Sequence, residues 1–187
     1  MEATESLVAA LLEARGYIVT TDYKVRAGDL KTFGGQSHDI DLDIVAFDSR
    51  SRDVLVGEVK SWWGSRGFVP DHIAPSWNKQ RGPHRTLKVL NDKDGIQQTL
   101  WKMLKRQIGD YNFRYTLFVG RIHDRSEVEK RLKRKRIFGN PVDLSIIEDL
   151  LRAFIQDLRG PGKKSRSYVN HPAVAAILAL EEYEMLK

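Results

Sequence analysis

The 187-residue chain contains no cysteine, which excludes a disulfide framework, a thiolate nucleophile and a thiolate zinc site. It also has no apolar run long enough to cross a bilayer. Acidic Glu2 and Glu5 stand near the N-terminus, where a secretory signal would carry basic residues followed by an apolar stretch. We therefore expect no secretory signal, no membrane span and a cytoplasmic location.

The composition is that of a basic globular protein. Hydrophobic residues make up 41% of the chain, the formal net charge is +6 and the sequence pI is about 9.5. A chain of this length is expected to form one domain with a substantial core. The positive charge favours a polyanionic partner, although many soluble proteins are as basic.

Hydrophobic periodicity and turn residues divide the chain into a core, a linker and a terminal helix. We predict a core domain over residues 1–159, a linker over 160–170 and a C-terminal helix over 171–187. Within the core, residues 61–93 form a long connection with little periodicity. The predicted core elements are a first helix capped by Thr4, strands over 17–25, 39–47, 54–60 and 114–120, and helices over 96–108, 126–136 and 144–158.

The order of these elements predicts an α/β fold. A strand, a helix and a further strand between residues 54 and 120 imply a parallel pairing reached by a crossover. Together with the preceding antiparallel strands, this gives a central mixed sheet of four or five strands with helices on both sides.

A predicted hairpin carries the residues with the clearest chemical meaning. If its turn closes symmetrically, Phe47 pairs with Val54, and the same register sets Asp43 opposite Glu58 and Asp41 opposite Lys60. Alternation places Ile40, Leu42 and Ile44 on the face away from the aspartates. Facing carboxylates are destabilising unless something neutralises them, and a hard cation such as Mg²⁺ is commonly held by one or two carboxylates.

The segments DIDLDIVAFD and VLVGEVKSW, joined by a polar turn, resemble the PD-(D/E)XK nuclease superfamily, in particular Mrr-type restriction endonucleases and Holliday-junction resolvases. The opening segment ESLVAALLEARGY is similar to the first helix of that group. The resemblance covers about residues 1–120. The sequence departs from the family pattern at Leu42, where members nominally have proline.

The resemblance implies a restriction-endonuclease-like αβββαβ core and a metal-dependent DNA endonuclease. Asp43, Glu58 and the main-chain carbonyl of Val59 would bind Mg²⁺ or Mn²⁺, and Lys60 would act beside them on the same phosphate. It also points to Glu5 as a carboxylate that contacts a metal-bound water, and to Gln97 as a residue that orients the lysine or the water.

Each secondary candidate has an alternative explanation. Glu5 in a first helical turn is also favoured by the helix dipole. Asp41 would either pair with Lys60 or join the metal. Gln97 is a polar residue on the helical face that carries Leu100, Trp101, Leu104 and Ile108, and its neighbour Gln98 is the alternative.

Two basic regions are candidates for nucleic-acid binding. In the connection 61–93, basic side chains alternate with tryptophans, a combination that suits phosphates and unstacked bases; Trp62 and Trp63 could equally be core or dimer-interface residues. The second region is a run at 130–136 with six positive charges, for which a solvated face is the alternative. The predicted contacts are Arg66, Lys79, Arg81, Arg85, Lys130, Lys133, Arg134 and Arg136.

Two functional hypotheses follow. The first is a Mg²⁺-dependent DNA endonuclease of restriction, resolvase, repair or mobile-element type, acting as a homodimer because a duplex has two strands to cut. The second is a non-catalytic nucleic-acid-binding protein on the same fold. The intact set Asp43, Glu58 and Lys60 favours the first.

Overall fold

The computed structural model describes residues 2–25, 40–48, 50–61, 67–73, 87, 89–91 and 96–159. The helices are α1 (Ala3–Glu13), α2 (Ile96–Ile108), α3 (Arg125–Leu132) and α4 (Ile147–Arg159), with a 3₁₀ turn at Pro70–His72. The strands are β1 (Tyr17–Val25), β2 (Ile40–Asp48), β3 (Asp53–Lys60), β4 (Asn112–Val119), β5 (Arg136–Ile137), β6 (Asn140–Pro141) and β7 (Asp143–Ile146).

The central sheet has five strands in the order β1-β2-β3-β4-β7. Strands β1, β2 and β3 pair antiparallel, whereas β3 with β4 and β4 with β7 pair parallel. The chain crosses from β3 to β4 through α2, as a parallel connection requires. The predicted α/β fold, with a mixed sheet of four or five strands flanked by helices, is therefore confirmed.

Two apolar clusters cover the two faces of the sheet. On one face, α1 and α4 pack against Ile44, Ala46 and Phe118. On the other face, α2 and α3 pack against Val54, Val56 and other strand residues. Because alternate residues of β3 enter different clusters, both faces of this strand are covered, and a polar side chain on it is removed from bulk water.

The first helix begins earlier than predicted. Glu2 occupies the N-cap position, in place of Thr4, which lies inside the helix. The N–H of Glu2 donates to Oε2 of Glu5 at 2.9 Å, the reciprocal arrangement of a capping box. The acidic pair three residues apart therefore starts this helix.

The basic helix is shorter than the predicted 126–136. It ends at Leu132, and a small hairpin of β5 and β6 follows. Phe138 and Gly139 turn this hairpin with φ of 56° and 83°, in the left-handed region that stops a helix. Lys133, Arg134 and Arg136 therefore do not belong to the helix.

The predicted helix over 144–158 is also partly wrong, since its first residues form β7 beside β4. A short apolar segment has no distinctive period, so only the neighbouring strand determines its conformation. On α2, Leu100 and Leu104 are buried as predicted, but Trp101 is exposed.

Several predictions concern residues outside the described ranges. These are the contacts Arg66, Lys79, Arg81 and Arg85, the tryptophans at 62 and 63, the linker 160–170 and the C-terminal helix 171–187. Among the helices that the structure describes, none is long and apolar enough to cross a membrane.

Candidate active site

The hairpin register places Asp43 at the end of the β2–β3 pairing. Phe47 pairs with Val54 as predicted, and the pairing runs as far as Ile44 with Gly57. One step further, Oδ2 of Asp43 accepts a hydrogen bond from the N–H of Val59 at 2.7 Å. The predicted facing pairs, Asp43 with Glu58 and Asp41 with Lys60, thus lie beyond the last paired residues, and the Asp43 carboxylate is held against the backbone of β3.

The strands β1 and β2 are distorted at the same level. Their pairing passes from Thr21–Ile44 to Tyr23–Leu42, which leaves Asp22 and Asp43 opposite each other between two regular pairs. Asp22 has φ of 52°, a left-handed conformation that interrupts a regular strand.

This distortion changes which side of the sheet the residues of β2 reach. Ile44 packs in the cluster that contains α1, whereas Leu42 and Ile40 pack with the α2 cluster. The expectation that all three share one face is therefore wrong. Simple alternation fails because a distorted step shifts the phase of the side chains that follow.

Glu58 makes contacts with two side chains inside the sheet. Its Oε1 lies 3.1 Å from Nζ of Lys60, and the side chains of Lys60 and Glu58 are 18% and 14% exposed, respectively. Its Oε2 accepts a hydrogen bond from the hydroxyl of Tyr115 on β4. Tyr115 pairs with Val56, so its ring lies beside the β3 position that precedes Glu58 on the same face.

Burial dominates the protonation behaviour of both carboxyls. It raises the pKa of Glu58, although Lys60 and the Tyr115 hydroxyl favour the charged form. Burial also raises the pKa of Asp43, against the effect of the Val59 N–H and Lys60, and the nearby charges of Glu2 and Asp22 add to the rise. Tyr115 has a pKa well above its ordinary value because of burial and the adjacent Glu58.

Both carboxyls are costly to ionise mainly because they are partly removed from water. Asp43 also raises the pKa of Glu58, because the two like charges repel each other. No set of three His, Cys, Asp or Glu side chains in the described part of the chain is arranged to hold a metal. Mg²⁺ is commonly held by one or two carboxylates and completes its shell with water and phosphate, so Asp43 and Glu58 supply donors of the type that such an ion takes.

Glu2, which the sequence analysis did not select, is the carboxylate of the first helix that acts electrostatically on Asp43. Glu5 instead accepts the hydrogen bond of the capping box. The spacing of Glu2 and Glu5 is that of a capping box, which gives the Glu5 carboxylate a partner in the N–H of Glu2. The part that Glu5 plays toward a metal-bound water stays a prediction.

The other secondary candidates, Gln97 and Asp41, differ in their exposure to solvent. Gln97 is half-buried, and its Nε2 donates to the carbonyl of Val89 at 2.9 Å. This bond ties the first turn of α2 to the preceding connection. Asp41 is exposed on β2. Their predicted roles beside Lys60 remain untested.

Tyr115 was also missed. It lies on a strand that also buries Phe113, Leu117 and Phe118, and a buried tyrosine hydroxyl needs a partner. The need for a partner is visible in the sequence. The identity of the partner depends on the parallel register of β3 and β4, which sequence periodicity does not determine.

The basic run at 130–136 divides into two groups. Lys130 pairs with Glu127, and Arg131 pairs with Glu127 and Asp71. Within the described part of the chain, Lys133 and Arg134 form no ion pair, and Arg136 donates to the carbonyls of residues 133 and 135. The second group is thus the one with charge available for a polyanion.

This second group lies far from Glu58 along the sheet. The β5–β6 hairpin is fastened to the beginning of β4, where Asn140 donates to Asn112 and to the carbonyl of Phe113. Glu58 pairs with Leu117, toward the other end of β4. Five residue steps along the strand separate Leu117 from Asn112 by about 17 Å.

A scan against protein-family models and a search of curated proteins both found no match to this chain.

Proposed function

We propose that this protein is a metal-dependent DNA endonuclease that hydrolyses phosphodiester bonds. The observation that carries the proposal is the half-buried group of Asp43, Glu58 and Lys60, in which the Lys60 ammonium pairs with Glu58 and acts electrostatically on Asp43, while burial raises the pKa of both carboxyls. Such an excess of negative charge away from water is unfavourable in a purely structural site. A divalent cation offsets it and gives the arrangement a chemical purpose.

Each residue of this group has a distinct part in the proposed reaction. Asp43 and Glu58, with the carbonyl of Val59, would hold Mg²⁺ or Mn²⁺. When bound, the ion would polarise the scissile phosphate and lower the pKa of a coordinated water. The Lys60 ammonium would contact the same phosphate and stabilise the charge that develops on its oxygens.

The surrounding groups orient these residues. The Val59 N–H holds one oxygen of Asp43 at 2.7 Å, and the Tyr115 hydroxyl holds one oxygen of Glu58. Both donors favour the ionised carboxylate, which is the form that binds a metal. Tyr115 is therefore a positioning residue in this proposal.

The alternative is a nucleic-acid-binding protein without cleavage. One observation favours it: Glu58 already uses one oxygen toward Lys60 and the other toward Tyr115, so metal binding would have to compete with contacts inside the protein. The two functions are therefore distinguished by whether the protein cuts DNA and whether cutting needs Glu58 and Lys60.

The test is incubation of supercoiled plasmid with the protein in Mg²⁺, Mn²⁺ or Ca²⁺. The endonuclease predicts cutting in Mg²⁺ or Mn²⁺ and binding without cutting in Ca²⁺. Glu58→Ala and Lys60→Ala should each abolish cutting while the fold and DNA binding persist. A matched control is Glu148→Ala, since Glu148 is a surface carboxylate paired with Arg152.

Near wild-type cutting by either site variant would remove the mechanism. Binding in all three metals with no cutting would support the alternative. Parallel assays on linear duplex, single strands, a four-way junction and RNA would separate the restriction, resolvase and repair settings.

A further inference from the structure

The outer surface of α2 carries positive charge and an exposed aromatic ring. The helix contains three basic residues and neither Asp nor Glu. Its inner face buries Ile96, Leu100 and Leu104. The opposite face presents the α2 ridge, which consists of Trp101, Lys102, Lys105 and Arg106.

Two cations of the ridge have no counter-charge in the described residues. Lys105 pairs with Asp110 at 2.7 Å, whereas Lys102 and Arg106 are exposed and form no ion pair within the described ranges. They are four residues apart on the helix, so their charges repel and destabilise it slightly. An anion placed along the ridge would reverse that effect.

Trp101 is 38% exposed, so part of its indole ring is open to solvent. The ammonium of Lys105 lies 4.7 Å from the centroid of its ring, a cation–π contact that holds the indole in place. Exposed aromatic rings beside cations bind nucleic acids by stacking on bases while the cations contact phosphates.

The ridge lies on the same side of the sheet as Glu58. Helix α2 packs in the same cluster as Val56 and Tyr115, which flank Glu58. The last turn of the helix is fixed to β1, where the Tyr23 hydroxyl donates to Gln107 at 3.3 Å. Tyr23 pairs with Leu42, the residue before Asp43. The last turn of α2, which carries Arg106, therefore lies at the level of the candidate site.

We propose that the α2 ridge is a DNA-binding surface next to the candidate active site, with Lys102 and Arg106 on phosphates and Trp101 stacked on an unpaired base. The inference rests on the proposed DNA partner but not on cleavage. It identifies the side from which the nucleic acid approaches, and it predicts a preference for DNA with unpaired bases.

The charge test compares two double variants that each lower the formal net charge by two. Lys102→Gln/Arg106→Gln removes the unpaired cations of the ridge. Arg125→Gln/Arg152→Gln removes exposed cations that are already paired with carboxylates. Binding to single-stranded and duplex oligonucleotides of one length is measured in Ca²⁺ over a range of salt concentrations, with thermal unfolding as the check on folding.

The ridge double variant should flatten the dependence of log K on log salt by about 0.7–0.9 for each phosphate that the variant no longer neutralises. The control double variant should keep the wild-type slope. Equal flattening in both would mean that only total charge matters, and an unchanged slope in the ridge variant would mean a solvated face. Either result overturns the proposal.

The stacking test uses Trp101→Leu, with Trp101→Phe as the variant that retains a ring. Trp101→Leu should weaken binding to single strands by about 5- to 100-fold, with a smaller effect on duplex, and Trp101→Phe should retain most of the wild-type affinity. Equal behaviour of the two variants would overturn the stacking contact.

Two further outcomes separate this inference from the proposed function. If wild-type protein cuts DNA but the ridge variants bind normally, the ridge proposal alone fails. If it binds DNA through the ridge but never cuts, the nuclease proposal alone fails. Binding of the wild type to phosphatidylserine vesicles and not to DNA would assign the ridge to an anionic membrane and overturn the proposal.

Discussion

Glu58 has a cost in stability when it is ionised. It lies within the sheet between Lys60 and the Tyr115 hydroxyl, and burial raises its pKa despite both favourable partners. The folded protein thus binds a proton at this position more tightly than the unfolded chain does. The pKa of Asp43 is raised as well. Ionisation of either carboxyl therefore lowers the stability of the fold.

The sign of the pH dependence follows from linkage. Because the folded-state pKa of Glu58 is raised, its contribution to stability is fully present below the pKa of the unfolded chain. That contribution is lost as the pH rises through the folded-state pKa. Each pKa unit corresponds to about 1.4 kcal/mol.

We predict that Glu58→Gln, which stays neutral, becomes more stable relative to wild type as the pH rises, while it loses cleavage. Urea unfolding at acidic and mildly alkaline pH measures the difference. Glu148→Gln provides the same chemical change at an exposed position and should follow the wild type at both pH values. A Glu58→Gln difference that is constant with pH, or that shrinks on raising it, would contradict the raised pKa.

Strand β3 depends on a glycine at the level of its last pair with β2. A Cβ on Gly57 would lie 2.8 Å from Cε2 of Phe118 and 3.1 Å from Cβ of Ile44. Both neighbours are fully packed in the α1 cluster, so neither moves aside easily. This glycine therefore lets β4 and β2 approach the strand that carries Glu58.

We predict that Gly57→Ala lowers the free energy of unfolding by about 1–3 kcal/mol through overpacking. In a Phe118→Leu background the same substitution should cost less, because the ring that meets the new methyl group is gone and the two changes couple. Equal costs in the two backgrounds would show that the contact with Phe118 is not the cause. Chemical denaturation of the four proteins completes the cycle.

In the basic segment at 130–136, the structure separates residues that form ion pairs from residues that form none within the described ranges. The ion-paired group of Lys130 and Arg131 supports α3 and the turn at Asp71. Lys133 and Arg134 form no such pairs within the described part of the chain. Each of these two residue pairs carries two positive charges, but only Lys130 and Arg131 contribute ion pairs to the fold.

We predict that Lys133→Gln/Arg134→Gln flattens the salt dependence of DNA binding, by up to about 0.9 in slope per neutralised phosphate, without lowering stability. Lys130→Gln/Arg131→Gln should lower stability and change the slope less. The measurements are salt titrations and thermal unfolding of both variants. Identical slopes for the wild type and the 133/134 variant would mean that this group is merely solvated.

At the scale of the whole molecule, a divalent ion should stabilise the fold. A ligand that binds only the folded state at tenfold its Kd adds about 1.4 kcal/mol. We predict that Mg²⁺ or Mn²⁺ raises the unfolding temperature of the wild type and that EDTA reverses the rise. The increase should fade at acidic pH, where the carboxyls are protonated, and should disappear in Asp43→Asn.

The control for this effect is Asp149→Asn, which removes an exposed carboxylate paired with Arg125 and should retain the full response. A metal-induced shift that survives in Asp43→Asn would place the ion elsewhere. The predicted homodimer is a separate property of the whole molecule, measured by sedimentation, and none of these outcomes depends on it.

Much of the local structure was already determined by the sequence alone. Strand β1 and helix α2 have the predicted bounds, because a strong alternating pattern and a strong 3.6-residue period leave little choice. The short polar turn after Phe47 sufficed to pair it with Val54. The α/β class followed from element order, since a parallel pairing needs a crossover. Asp43, Glu58 and Lys60 could be grouped as candidates from the sequence because all three lie on one hairpin.

Only the tertiary structure decided what meets these residues from elsewhere in the chain. Tyr115 reaches Glu58 through the register of β3 with β4, and the register of β1 with β2 sets Asp22 opposite Asp43. The strand β7 exists because β4 offers it a neighbour. Periodicity reports which face a residue takes within its own element. It carries no information about the register between distant strands, and that register places Tyr115 and Asp22 at the candidate site.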